Sequence, residues 1–136
     1  MNCKGELSVA KWDEANLGKV VNKMMIARAS IIYKIAGAIN GECAVEYLLH
    51  YTNYDIDDQH RSEATYTGYI VFSGSINGKL GTFVLTDNGQ YSPVGPVSEL
   101  SIKANTGTED FTGISGTGKI YADGEKMIIE IEYQNE

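Results

Sequence analysis

The sequence predicts an all-β protein whose strands close into one antiparallel eight-stranded barrel, and three observations support this. The segment Gly37-Ala38-Ile39-Asn40-Gly41-Glu42 returns, barely changed, as Gly74-Ser75-Ile76-Asn77-Gly78-Lys79, and a cousin, Thr112-Gly113-Ile114-Ser115-Gly116, follows 38 residues later. Asn-Gly tolerates positive φ at both positions, so Ile-Asn-Gly between alternating apolar runs reads as a two-residue hairpin turn. Second, eight strand-like runs succeed one another at barrel spacing. Third, 15 glycines and nine tyrosines beside only two prolines describe a sheet with tight turns and bends. Hairpin-linked strands in an open sheet would leave exposed edges; closure removes them, which favours a barrel over a two-sheet sandwich.

In order, the runs cover residues 5–12, 20–39, 42–53, 64–76, 79–86, 97–104, 114–121 and 127–133. Residues 13–28 offer Ala15, Leu17, Val20, Val21, Met24 and Met25 at helical spacing, but Gly18 interrupts the stripe, leaving room for a helical turn at most. With Asn77-Gly78 as a loop, Ile76 opposes Lys79, Gly74 opposes Gly81, Phe72 opposes Phe83 and Ile70 opposes Leu85, which gathers the bulky apolar residues on one face. With Asp123-Gly124 as a loop, Ile120 opposes Met127, Gly118 opposes Ile129, Gly116 opposes Ile131 and Ile114 opposes Tyr133. Lys119, Glu130 and Glu132 then point outward.

The same rule applied to Asn40-Gly41 pairs Ile39 with Glu42, Gly37 with Ala44, Ile35 with Glu46, Tyr33 with Leu48 and Ile31 with His50. One orientation places Glu46 and His50 inside; the other places Lys34 and Arg28 there. The first costs less, because it buries one anion rather than two cations. An inward Glu46 would be held neutral by burial and suit proton transfer or donation to a ligand oxygen. His50 would lie roughly 13 Å further along the same face, bracketing a ligand with it. Ile31, Tyr33, Ile35, Leu48, Ile70, Phe72, Phe83 and Leu85 are the expected cavity wall. The turns at 40–41, 77–78 and 123–124 are expected at one end. The longer links 54–63, 87–96 and 105–113 are expected at the other, where a pocket would open.

At 136 residues and 43% hydrophobic, the chain suffices for one domain, 1–136, around a single core. A net charge of -7 opposes nucleic acid or an anionic membrane as partner. The N-terminus has no apolar signal region, no stretch is long enough for a membrane helix, and Cys3 and Cys43 are too few for a disulfide framework, so a cytoplasmic setting is expected. The cluster Asp55, Asp57, Asp58, His60 and Glu63 lacks the calcium-loop order, and the cysteines lack zinc spacing, so no metal is expected. Residues 113–118 follow neither a nucleophile elbow nor a phosphate loop. Trp12 reads as core or as a barrel plug.

The whole chain resembles a family of small bacterial proteins of uncharacterised function with a barrel like that of allene oxide cyclase. The resemblance is carried by Ser8-Val9-Ala10-Lys11-Trp12-Asp13-Glu14, Gly41-Glu42-Cys43-Ala44-Val45-Glu46-Tyr47-Leu48-Leu49, Tyr69-Ile70-Val71-Phe72-Ser73-Gly74, Lys79-Leu80-Gly81-Thr82-Phe83-Val84-Leu85, Asn105-Thr106-Gly107-Thr108 and residues 113–118. It implies an eight-stranded antiparallel barrel. It supplies no activity to carry over, and the cofactor-free cyclisation of a fatty-acid epoxide by allene oxide cyclase remains an analogy of fold. Three functions therefore stand open. The first is a barrel binding a small, largely apolar molecule, with no cofactor. The second is a cofactor-independent isomerase or cyclase using Glu46, assisted by His50 or Tyr33. The third is a packed barrel forming a homo-oligomer through an outward stripe of Val45, Tyr47, Leu49 and Tyr51 with Ile32.

Overall fold

The computed structural model describes residues 1–58 and 61–135. Eight strands follow in order: β1 (Asn2–Asn16), β2 (Met25–Gly37), β3 (Ile39–Asn53), β4 (Glu63–Ile76), β5 (Lys79–Ser92), β6 (Gly95–Ile102), β7 (Ser115–Asp123) and β8 (Lys126–Gln134). Each pairs antiparallel with its sequence neighbour, and β8 returns to β1 over Asn2 to Leu7, closing the barrel. The segment that offered a helical stripe is instead the upper part of β1, a reversal bridged by Val21 and Met24, and the start of β2. Among the described residues no helix is long and apolar enough to cross a membrane.

The hairpin at Asn77-Gly78 is built as the spacing predicts. Both residues take positive φ, 50° and 86°, and Ile76 meets Lys79, Phe72 meets Phe83 and Ile70 meets Leu85. At the last hairpin the two-residue loop is Gly124-Glu125, with Gly124 at φ 63°, so Ile120 faces Ile129 and Gly118 faces Ile131. The pairs slide by two residues relative to the expected register. A slide of two preserves the faces, so the inward set is unchanged.

The hairpin between β2 and β3 differs in kind. The chain reverses at Ala38, and Ile35 faces Gly41, Tyr33 faces Cys43, Ile31 faces Val45 and Ser30 faces Glu46. Ile35 was expected opposite Glu46, so the slide is five residues, an odd number, and every β3 side chain goes to the other face. Cys43, Val45, Tyr47, Leu49 and Tyr51 point inward, whereas Glu46, Leu48 and His50 point out. Neither orientation weighed from sequence is realised: Arg28, Lys34, Glu46 and His50 are all exposed. The observed register spares the interior every one of these titratable groups, which is the physical reason it wins. Gly41 serves the sheet instead of a turn. It faces Gly74, and a Cβ on it would sit 2.3 Å from the Ser73 carbonyl oxygen, so β3 and β4 approach where no side chain fits.

Alternating strand directions define two ends. The lower end carries the Ala38 reversal, the Asn77-Gly78 turn and the link 103–114; the upper end carries the links 17–24, 54–62, 93–94 and 124–125. The Gly124 turn and the link 105–113 thus exchange the ends expected for them, because the strand count places β4–β5 and β7–β8 reversals at opposite ends. The 103–114 link covers the part of β5 that β6 does not reach. Val84 N–H donates to Thr106 Oγ1 at 3.1 Å, Thr82 N–H to Thr108 Oγ1 at 3.0 Å and Leu80 N–H to Asp110 Oδ2 at 2.9 Å, satisfying an edge that would otherwise be bare. A 3-10 turn over Glu109–Phe111 then drops Phe111 beneath the barrel. Its ring lies edge-on to Phe83 at 5.3 Å, and Phe83 lies 5.0 Å from Phe72, sealing the lower half with Ile39, Ile76 and Ile131.

Candidate functional site

The upper half is not filled. A cavity of about 380 Å³ lies there, within the size range of small-molecule sites. Six aromatic side chains line it: Trp12, Tyr33, Tyr47, Tyr51, Tyr66 and Tyr91. Val9, Leu49, Ala64, Pro96, Ile120 and Met127 supply the aliphatic wall. Strand alternation explains the set, since Tyr47, Leu49 and Tyr51 are successive inward positions of β3, and Ala64 and Tyr66 of β4.

Behind the cavity floor sits Asp87, wholly buried on β5. The Tyr47 hydroxyl donates to its Oδ2, while Oδ1 has no hydrogen-bond partner among the described residues. The Tyr66 hydroxyl and Ser98 Oγ share a hydrogen bond of 2.5 Å, and the Tyr47 and Tyr66 rings tilt against each other at 4.8 Å. Gly89 makes this possible. It faces Tyr66 on one side and Ser98 on the other, and a Cβ there would come within 2.6 Å of the Tyr66 hydroxyl oxygen and 2.8 Å of Ser98 Oγ.

Burial pushes the Asp87 carboxyl up to about 6, against the opposing pull of the Tyr47 and Ser98 hydroxyls. Tyr47 and Tyr33 are pushed far above the ordinary phenol range, first by burial and then by neighbours that include Asp87. Tyr66 rises to about 12, mainly through burial. The three phenols therefore stay neutral, and Asp87 is the member of this group that titrates near neutral pH. Tyr47 commits its proton to Asp87, which leaves its oxygen lone pairs as an acceptor for a ligand. At the rim, Glu14 accepts from the Tyr51 hydroxyl at 2.7 Å and from the Trp12 indole N–H at 3.2 Å.

Of the ten site residues expected from sequence, Tyr33 alone lines this cavity. Ile31, Ile35, Ile70, Phe72, Phe83 and Leu85 do point inward, but they pack the barrel below it. Glu46, His50 and Leu48 face solvent because of the five-residue slide. The Glu46 carboxylate accepts from Ser30 Oγ at 2.7 Å on the outer surface, so it is no interior acid, and His50 is exposed on the same outer face. The expected outward stripe is inverted too: Val45, Tyr47, Leu49 and Tyr51 are buried within the barrel instead of facing out. Trp12, expected as core or plug, stands at the rim, 46% exposed.

Asp87, Tyr47, Tyr66 and Ser98 were not among the expected site residues. Asp87 was within reach, because the Asn77-Gly78 register carried on past Leu85 places it inward opposite Gly68. The string Asp87-Asn88-Gly89 resembles a turn and hid the strand, which continues to Ser92.

Elsewhere the acidic loop is organised around Asp55, whose Oδ1 accepts from the backbone N–H of Asp57 and Asp58, holding its carboxyl below the usual range. His60 of that cluster lies outside the described residues. Among the described residues no three His, Cys, Asp or Glu side chains are grouped to hold a metal. Cys3 and Cys43 are free and buried, and burial pushes their thiols up to about 11 and about 12, far from the reactive thiolate.

Comparison with known proteins agrees with this architecture. No curated protein matches the chain. A solved structure of a protein with unknown function from the DUF3224 family of Shewanella oneidensis MR-1 superposes with a TM-score of 0.80 at 20% sequence identity, covering 100% of this chain and 98% of that one. At that identity the likeness speaks for the fold. Residues 3–133 match the family described as "Protein of unknown function (DUF3224)", and a match over nearly the entire chain means that this protein belongs to that family.

Proposed function

We propose that the protein binds a small, largely apolar molecule in the upper half of its barrel. The observation that carries this reading is the aromatic-lined cavity of about 380 Å³ ending on a buried polar floor, above a lower half whose inward side chains are buried against one another. Core packing normally leaves no such volume, and an apolar wall with a few convergent polar groups is the usual composition of a ligand site. The resemblance to the barrel of allene oxide cyclase, with its largely apolar interior, agrees with an occupant of this kind. Two unpaired cysteines support a reducing, cytoplasmic setting.

Titration with the neutral fluorophore N-phenyl-1-naphthylamine tests the reading. Saturable one-to-one binding is expected, and Ala64→Phe, which adds bulk at the cavity wall, should weaken it by at least about tenfold while the variant stays folded. Binding that survives undiminished in a folded Ala64→Phe protein would place the probe elsewhere and contradict the proposal.

The buried carboxyl favours one further reading, a cofactor-independent isomerase or cyclase in which Asp87, acting through Tyr47, takes the part expected of Glu46. A carboxyl near 6 has a proton affinity suited to exchange at neutral pH, whereas the tyrosines do not. Its signature would be solvent deuterium entering a bound ligand, lost in Asp87→Asn although binding persists. Equal incorporation in that variant would exclude it.

A further inference from the structure

Resting on the ligand-binding reading above, the geometry points to a narrower occupant: we propose that the cavity selects lipophilic organic cations, an ammonium or comparable cationic head on an apolar body. Four observations converge. Among the described residues lining the cavity there is no lysine, arginine or histidine, so an anionic head such as a fatty carboxylate would find no counter-charge. Carboxyl groups stand at both ends instead, Glu14 at the rim and Asp87 behind the floor. Asp87 Oδ1, fully buried behind the floor, has no hydrogen-bond partner among the described residues, and the Tyr47 oxygen, whose proton goes to Asp87, keeps lone pairs for a ligand, so the floor carries negative potential.

The fourth observation is the wall itself. Trp12, Tyr33, Tyr47, Tyr51, Tyr66 and Tyr91 surround the space, and a desolvated cation is attracted to the negative faces of such rings, which is how aromatic cages hold quaternary ammonium groups. Trp12 and Tyr51 both hydrogen-bond Glu14, so the strongest cation–π ring and a carboxylate are held together at the entrance. The overall charge of -7 favours approach of cations over anions to the protein as a whole.

The test is isothermal titration of the intact protein with three probes of matched shape. These are benzyltrimethylammonium, its neutral carbon isostere neopentylbenzene, and the anion phenylacetate. The cation should bind at least about tenfold more tightly than the neutral isostere, and phenylacetate should not bind measurably. Glu14→Gln should weaken the cation several-fold and leave the neutral probe unchanged. Neutral or anionic probe binding as tightly as the cation would overturn the selectivity while leaving the apolar-ligand reading intact. Failure of all three to bind would overturn both.

Discussion

At Asp87, burial works against ionisation, and the consequence is a stability that depends on pH. The folded chain holds this proton up to about pH 6, whereas an unfolded chain releases it near pH 4. The stabilising contribution of the protonated form is therefore complete below about pH 4 and is lost as pH rises through about 6. Asp87→Asn removes that dependence. The stability of the variant relative to wild type should improve by about 2 to 3 kcal/mol between pH 4 and pH 8, measured by chemical denaturation at each pH. A difference that does not vary with pH would mean that Asp87 titrates normally. Glu46 is the counterpart on the outside: its bond to Ser30 is solvent-exposed, so Glu46→Gln should change stability by less than about 0.5 kcal/mol and leave ligand binding untouched. The two acids show how a residue's role follows its strand face. Both sit in runs with clear alternation, but parity at Glu46 depended on a turn that is not there, and parity at Asp87 was available from a turn that is.

Elements are where two identical dipeptides part company. Asn77-Gly78 forms a turn with both residues at positive φ; Asn40-Gly41 lies inside β3, with the reversal at Ala38. The local signal is the same in both places. What separates them is tertiary: the turn at 77–78 satisfies the hydrophobic pattern of β4 and β5, whereas one at 40–41 forces titratable side chains indoors on either orientation. Substitution distinguishes the two roles directly. Asn77→Val puts a β-branched residue at φ 50° and should cost about 1 to 2 kcal/mol, while Asn40→Val, in an exposed strand position, should stay within about 0.5 kcal/mol of wild type. Equal costs at both positions would revive the tight turn at 40–41. The lower link illustrates another limit of sequence periodicity: Thr106, Thr108 and Asp110 complete the edge of β5 through side chains, a pattern that no alternation of apolar residues marks.

Over the whole molecule, the barrel is divided into two storeys by what its inward residues are. Below, isoleucines pack with the clustered Phe72, Phe83 and Phe111 rings and close the end. Above, tyrosines stand with their hydroxyls on Asp87, Ser98 and Glu14, and such rings hold the wall open while satisfying their polar tips. Strand number, antiparallel order and closure were legible in the Asn77-Gly78 turn and in the spacing of the runs. The division into storeys was not, because it rests on β3 parity and on the true length of β5. The most direct measurement is a methyl-resolved NMR titration with N-phenyl-1-naphthylamine. A ligand site in the upper storey predicts shifts at Leu49, Ile120 and Met127, with Ile39, Ile76 and Ile131 unmoved. Shifts confined to the lower storey, or none anywhere at saturating probe, would contradict it.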